Sequence, residues 1–146
     1  MSYITSRVLA MSFPAHDGFK TVYRNRATDV SKFLKTKHPN FWIYNLSNKD
    51  IEESLFNGNV NSYPWEDHHS PSLLVLFDCC DHIYDLMMKN DKAVAVLHCN
   101  AGKGRTGTAI ACFLLYSGLA DNFLNAIIFY GNRRFTNGRG VTQPSQ

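Results

Sequence analysis

Apolar residues recur along this chain with two different periods, and the switches between them mark out its elements. Residues 4–13 read as an early strand or hairpin, and Thr28 is placed to cap a helix whose apolar positions Val30, Phe33 and Leu34 carry it to about His38. Residues 41–46 (F-W-I-Y-N-L) are aromatic and β-branched, as strands are, and a shorter strand is expected from Val60 toward Tyr63, stopped by Pro64. From Ser72 to Met88 the residues Leu73, Leu76, Phe77, Cys80, Ile83, Tyr84 and Met87 return every three or four positions, which predicts an amphipathic helix facing the core and ending at Asn90 and Asp91.

Residues 93–97 (A-V-A-V-L) are a continuous apolar run of the kind found in a strand covered on both faces. A helix follows, with Ala109, Ile110, Phe113 and Leu114 as its buried stripe and Gly118 as its stop, and residues 123–130 form one more. The pattern predicts an α/β fold of packed layers.

With 146 residues, 45% of them hydrophobic, one sizeable core is feasible and two are not. No repeat, low-complexity tract or linker divides the chain. A net charge of +3 falls short of a dedicated nucleic-acid surface, so no nucleic-acid partner is expected. Cys79, Cys80, Cys99 and Cys112 lack the paired spacing of a zinc site, and the N-terminus lacks the apolar core of a signal peptide; a reducing, intracellular compartment is expected. The most apolar stretch, residues 109–116, is far shorter than the roughly 20 residues that cross a bilayer, so any membrane contact is expected to be peripheral.

The chemistry lies in residues 98–107, H-C-N-A-G-K-G-R-T-G, between the buried strand and its helix. A helix N-terminus offers unpaired amides and partial positive charge, and Gly102 and Gly104 let the backbone of Asn100, Ala101, Gly102, Lys103 and Gly104 close around an anion. Such positions favour a thiolate over a thiol, which makes Cys99 a nucleophile. Arg105 is suited to donate two parallel hydrogen bonds to a phosphoryl group, and Thr106 to donate one to the sulfur as it departs. His98 reads either as a core histidine bonded to a carbonyl or as an electronic partner of the loop. The nucleotide-binding pattern G-x-x-x-x-G-K-[ST] does not fit, because Leu97 stands at its first glycine and Gly104 follows Lys103.

Attack by a thiolate leaves an alkoxide that needs a proton from another loop. Residues 63–69 (Y-P-W-E-D-H-H), punctuated by Pro64 and closed by Pro71, offer Asp67 and Glu66 on a segment fit to act as a lid; by composition alone it reads equally well as a solvated acidic turn.

Residues 63–68 and 98–107, together with 3–4, 10–14, 22–25, 43–46, 129–131, 140–142 and 144–146, resemble the catalytic domain of the phosphatase and tensin homolog family of the cysteine-based protein tyrosine phosphatase superfamily. The resemblance implies a protein tyrosine or dual-specificity phosphatase fold, a central mixed sheet flanked by helices, and a single phosphatase domain over residues 1–146 that needs no cofactor or metal. It implies Cys99 as nucleophile, Arg105 as phosphate-binding arginine and Asp67 as general acid. His68 and Lys103 match basic residues that hold a phosphorylated inositol ring, Gly104 a small residue that keeps the pocket wide, Thr142 and Gln143 a loop that widens it, and Arg24 a basic residue at its rim.

The chain also departs from that pattern. Asn100 stands where the lipid phosphatases have lysine, Gln143 replaces an apolar residue, and Ser47 takes the place of a cysteine able to form a disulfide with the nucleophile. The family's final catalytic-domain helix, its C2 domain and its basic N-terminal segment are not represented. The leading expectation is a phosphatidylinositol 3,4,5-trisphosphate 3-phosphatase working through a phosphocysteine in the cytoplasm, in transient contact with the inner face of the plasma membrane. A phosphatase acting on phosphoproteins and a phosphate-binding module without turnover are the rivals.

Overall fold

The computed structural model describes residues 1–16, 25–138, 140 and 141. Five strands, β1 (Ser2–Tyr3), β2 (Val8–Met11), β3 (Phe41–Asn45), β4 (Val60–Ser62) and β5 (Val94–His98), form one mixed sheet in the order β1-β2-β5-β3-β4. Only β1 runs antiparallel, and β5 lies at the centre with all five residues buried. Four helices cover the sheet: α1 (Ala27–Lys37), α2 (Leu73–Lys89), α3 (Gly104–Tyr116) and α4 (Phe123–Arg134).

Alternate residues of the strands feed opposite layers, as the two-residue period requires. Leu9, Met11, Phe41, Ile43, Val94 and Val96 pack with Ala27, Val30 and Leu34 of α1 and with Phe56 of a short 3-10 turn. Val8, Ala10, Tyr44, Ala95 and Leu97 pack on the other side with Leu76, Cys79 and Ile83 of α2, Ile110 and Leu114 of α3, and Tyr130 of α4. His98 pairs with Met11 on one side and Asn45 on the other. The three parallel strands therefore end level, and the loops that leave them share one edge, where parallel α/β sheets bind ligands.

Three expectations need correction. Thr28 is exposed in the first turn of α1 and does not cap it, because the helix starts one residue earlier, at Ala27, whose amide donates to the Ala15 carbonyl at 2.9 Å where the chain makes a parallel bridge. On α2, Ser72 does cap the helix, accepting from the Val75 amide at 3.2 Å, but the apolar stripe is only partly inward. Leu73 (69% exposed), Phe77 and Tyr84 face outward while Cys79 is buried, because the covered face of α2 is the one that carries Leu76, Cys79, Cys80 and Ile83. Helix α4 outruns its expected end at Tyr130 by a full turn, and Gly131 within that turn leaves room for the Gly138 carbonyl, which a Cβ there would strike.

The junction between α2 and β5 depends on a residue that periodicity does not reveal. Arg7 donates from Nε to the Ala93 carbonyl (2.9 Å) and from Nη2 to the carbonyls of Met87 (3.1 Å) and Asn90 (2.6 Å), meeting acceptors that the end of a helix leaves open. Arg7→Met is expected to lower stability by about 2 kcal/mol, the scale of hydrogen bonds to a charged group. Urea denaturation checks this, and an unchanged midpoint would mean that water serves those carbonyls equally well.

Candidate active site

Strand β5 delivers Cys99 (3% exposed) to the level edge of the sheet, and the chain turns at once into α3. The turn is pinned from beneath, with the Phe13 amide donating to the Asn100 carbonyl at 2.9 Å and the Leu46 amide to the His98 carbonyl at 2.9 Å. Gly102 has φ +66°, and a side chain there would run into the Met11 carbonyl and the Arg134 guanidinium, so only glycine satisfies both the turn and the packing.

Arg105, in the first turn of α3, is 4% exposed. Its Nη1 donates to the carbonyls of Trp65 (3.0 Å) and, at the long limit, Leu46 (3.4 Å). Its Nε stands 3.4 Å from Oδ1 of Asp67 at an angle too poor for a hydrogen bond, and remains without a hydrogen-bond partner. Three loops thus meet at one guanidinium: the turn after β5, the turn after β3, and the segment after β4. Trp65 is buried and anchors that last segment, whereas the Asp67 side chain stays 48% exposed. His68 adopts φ +62°, and its amide donates to Asp67 Oδ1 at 3.1 Å. Glu66 instead faces His69, its Oε2 3.6 Å from Nδ1 and in open solvent. Of the two candidate acids, Asp67 is the one brought to Arg105.

The remaining candidates divide. Thr106 Oγ1 is buried beneath the loop without a hydrogen-bond partner, and so is Oδ1 of half-buried Asn100. Ala101 is exposed at the outer turn, and Gly104 begins α3. Lys103 leans toward the end of α4, its Nζ 5.1 Å from the centre of the Phe135 ring. Ser47 donates its hydroxyl within its own loop, to Asn45 Oδ1 at 2.7 Å. Arg24, Thr142 and Gln143 lie outside the described residues.

His98 is fully buried, with Nδ1 donating to the Cys99 carbonyl at 3.3 Å and the ring edge-on to Phe13. Since a carbonyl can only accept, this fixes the neutral tautomer with its proton on Nδ1. Sequence reasoning assigned no role to Tyr130, Arg134 or Phe135. Tyr130 and Arg134 both reach the Gly102 carbonyl from 28 and 32 residues away, and their placement one helical turn apart on α4 was the available signal.

This architecture is that of the protein tyrosine and dual-specificity phosphatases. Over 99% of its length the chain superposes on 89% of human DUSP28 with a TM-score of 0.76 at 11% identity, and over 97% on 86% of PTPMT1 solved in complex with PI(5)P, with a TM-score of 0.72 at 14% identity. The chain belongs to the family described as "Polymorphic toxin system, DSP-PTPase phosphatase", whose model matches residues 8–119. Over its whole length it is also similar to longer proteins. It is 41% identical to 35% of the Arabidopsis thaliana protein named phosphatidylinositol 3,4,5-trisphosphate 3-phosphatase and protein-tyrosine-phosphatase PTEN1. It is 40% identical to 42% of the Schizosaccharomyces pombe phosphatidylinositol 3,4,5-trisphosphate 3-phosphatase ptn1. The chain therefore spans less than half the length of these relatives.

Burial pushes His98 down from 6.5 to about 4, with Arg105 adding a smaller push in the same direction. Above pH 6.5 the ring is neutral in both the folded and the unfolded chain and contributes no pH dependence. Between 6.5 and about 4 the unfolded chain takes up a proton that the folded one refuses, so stability falls with pH by up to about 1.4 kcal/mol per unit from this group, and the loss levels off below 4. Urea midpoints at pH 7.5 and 5 should therefore differ more for the parent than for His98→Gln; equal differences would contradict the assignment.

Proposed function

We propose that this chain is a single phosphatase domain that hydrolyses the 3-phosphate of phosphatidylinositol 3,4,5-trisphosphate through a phosphocysteine, at the inner face of the plasma membrane. The observation that carries the catalytic reading is the meeting of Asp67 with Arg105 beside the loop that begins at Cys99. In the first step the Cys99 thiolate attacks phosphorus and the S–P bond forms as the P–O bond breaks. The leaving alkoxide takes the proton of Asp67. Nη1 of Arg105 is held by the Trp65 and Leu46 carbonyls, so the guanidinium is fixed before substrate arrives and its unpartnered Nε is left for a phosphoryl oxygen. In the second step Asp67 accepts a proton from water as it attacks the phosphocysteine, and Thr106, whose hydroxyl is otherwise unpartnered, donates to the departing sulfur.

The lipid assignment is supported by whole-chain similarity to relatives named as phosphatidylinositol 3,4,5-trisphosphate 3-phosphatases, and by His68, Lys103 and Gly104 around the loop. A second reading, a phosphatase for phosphoproteins, is favoured by Asn100, which removes one cation from the pocket. It is also favoured by the protein-tyrosine-phosphatase half of the A. thaliana relative's name.

Phosphate release from short-chain phosphatidylinositol 3,4,5-trisphosphate and from a phosphotyrosine peptide separates the two. The lipid is expected to be the faster substrate and Cys99→Ser to abolish both activities; a faster peptide would transfer the assignment to protein substrates. Asp67→Asn is expected to lower kcat by about 10² to 10⁴, the usual worth of a general acid, with little change in affinity for the lipid headgroup. An unchanged kcat would move the acid role to another group, with Glu66 the first to test.

A further inference from the structure

The phosphate loop is held from outside as well as from beneath. Arg134, at the last position of α4, donates from Nε to the Gly102 carbonyl at 3.1 Å, from Nη2 to the Ala101 carbonyl at 3.4 Å and from Nη1 to Ser2 Oγ at 3.0 Å. The Tyr130 hydroxyl donates to the same Gly102 carbonyl at 2.7 Å, so both lone pairs of that oxygen are engaged. Tyr130 is fully buried; its hydroxyl has no freedom to serve another acceptor.

From these contacts we infer that Arg134 is a positioning residue for the anion cradle, one that sets the direction of two of its amides; the inference rests on the reading of residues 99–105 as a phosphate site. In a trans peptide unit the N–H points opposite to the C=O, and the described chain holds no cis bond. The Ala101 carbonyl shares its peptide unit with the Gly102 amide, and the Gly102 carbonyl shares its own with the Lys103 amide. Tying both oxygens outward to the end of α4 turns both amides to the opposite side, toward the interior of the loop where an anion sits. Without the tie, Gly102 is the place where the loop turns over most easily, since a residue without Cβ at φ +66° crosses to other backbone conformations at little cost. The close fit of Gly102 between Met11 and the Arg134 guanidinium is a separate sign that loop and arginine are packed as one unit.

The same helix end holds a second loop group. Phe135, which follows Arg134, lies 5.2 Å from its guanidinium carbon and 5.1 Å from the Lys103 ammonium, so one aromatic ring receives the cation that positions the loop and the cation that the loop itself carries.

Tungstate binding in a Cys99→Ser background tests the inference, because it reads the cradle without turnover and without any choice of organic substrate. Arg134→Leu is expected to weaken tungstate binding by about 10²-fold, the scale of a misplaced site group. Arg134→Lys, which keeps the charge and loses the two-pronged grip, should recover only part of that loss. Arg133→Leu removes a like charge one residue away that points to the Phe129 ring, and should bind as the parent does. The amide proton shifts of Gly102 and Lys103 should move in Arg134→Leu. If that variant does not fold, Tyr130→Phe, which removes one of the two bonds to the Gly102 carbonyl, should weaken tungstate in the same direction by a smaller factor. Parent-like affinity in Arg134→Leu, or in Tyr130→Phe if that is the variant that folds, or complete recovery by lysine, would overturn the positioning role. Failure of the Cys99→Ser parent itself to bind tungstate would instead remove the phosphate-site reading on which the role depends.

Discussion

A buried guanidinium must be met on several sides, because a charge withdrawn from water without partners costs several kcal/mol. Arg105 is 4% exposed, and what meets it comes from two separate loops: the Trp65 carbonyl and Asp67 carboxylate of one, and the Leu46 carbonyl of the other. The geometry of the site follows from that requirement. A chain that folds with Arg105 inside brings the segment of Trp65 and Asp67 to the loop that begins at Cys99, because the oxygens that meet the guanidinium come from that segment and from the turn after β3. The same demand that makes the arginine costly to bury makes the site assemble as a unit.

The sheet supplies the platform. Because β2, β5 and β3 run parallel and end level at Met11, His98 and Asn45, one backbone edge serves all three loops, and short amide-to-carbonyl links from Phe13 and Leu46 keep them at fixed height. Helix α4 closes the arrangement from the side, its last turn reaching the Ala101 and Gly102 carbonyls. The loop from Cys99 to Arg105 is thus fastened on its outer surface as well as from beneath.

What could be read from the sequence was what is contiguous in it. Residues 94–105 place strand, turn and helix in a single run, so the loop, its glycines and its cysteine are visible in order. Among the described residues hydrophobic period found the four α-helices, but it could not say which side of α2 would be covered: Leu73 and Phe77 have the right spacing and face outward, while Cys79 lies inside, because the neighbours packed on a helix decide which face is buried. Thr28 fits a cap by type, but the helix begins one residue before it, at Ala27, whose amide is held by the Ala15 carbonyl 12 residues upstream. The choice between Asp67 and Glu66 rested on resemblance, since adjacent acids look alike until a third residue, 38 positions from Asp67, selects one. Arg7, Arg134 and Tyr130 act over 28 to 132 residues of separation, and no local pattern records such contacts.

Trp65 is one of two tryptophans in the chain, it is buried, its indole Nε1 has no hydrogen-bond partner, and its own carbonyl is tied to Arg105. Indole emission moves to longer wavelength as the ring passes from an apolar setting into water. The segment that carries Asp67 therefore contains its own optical reporter: an excursion that lifted it from Arg105 and exposed the ring would change the colour and intensity of the protein's fluorescence, against a second signal from Trp42 in β3.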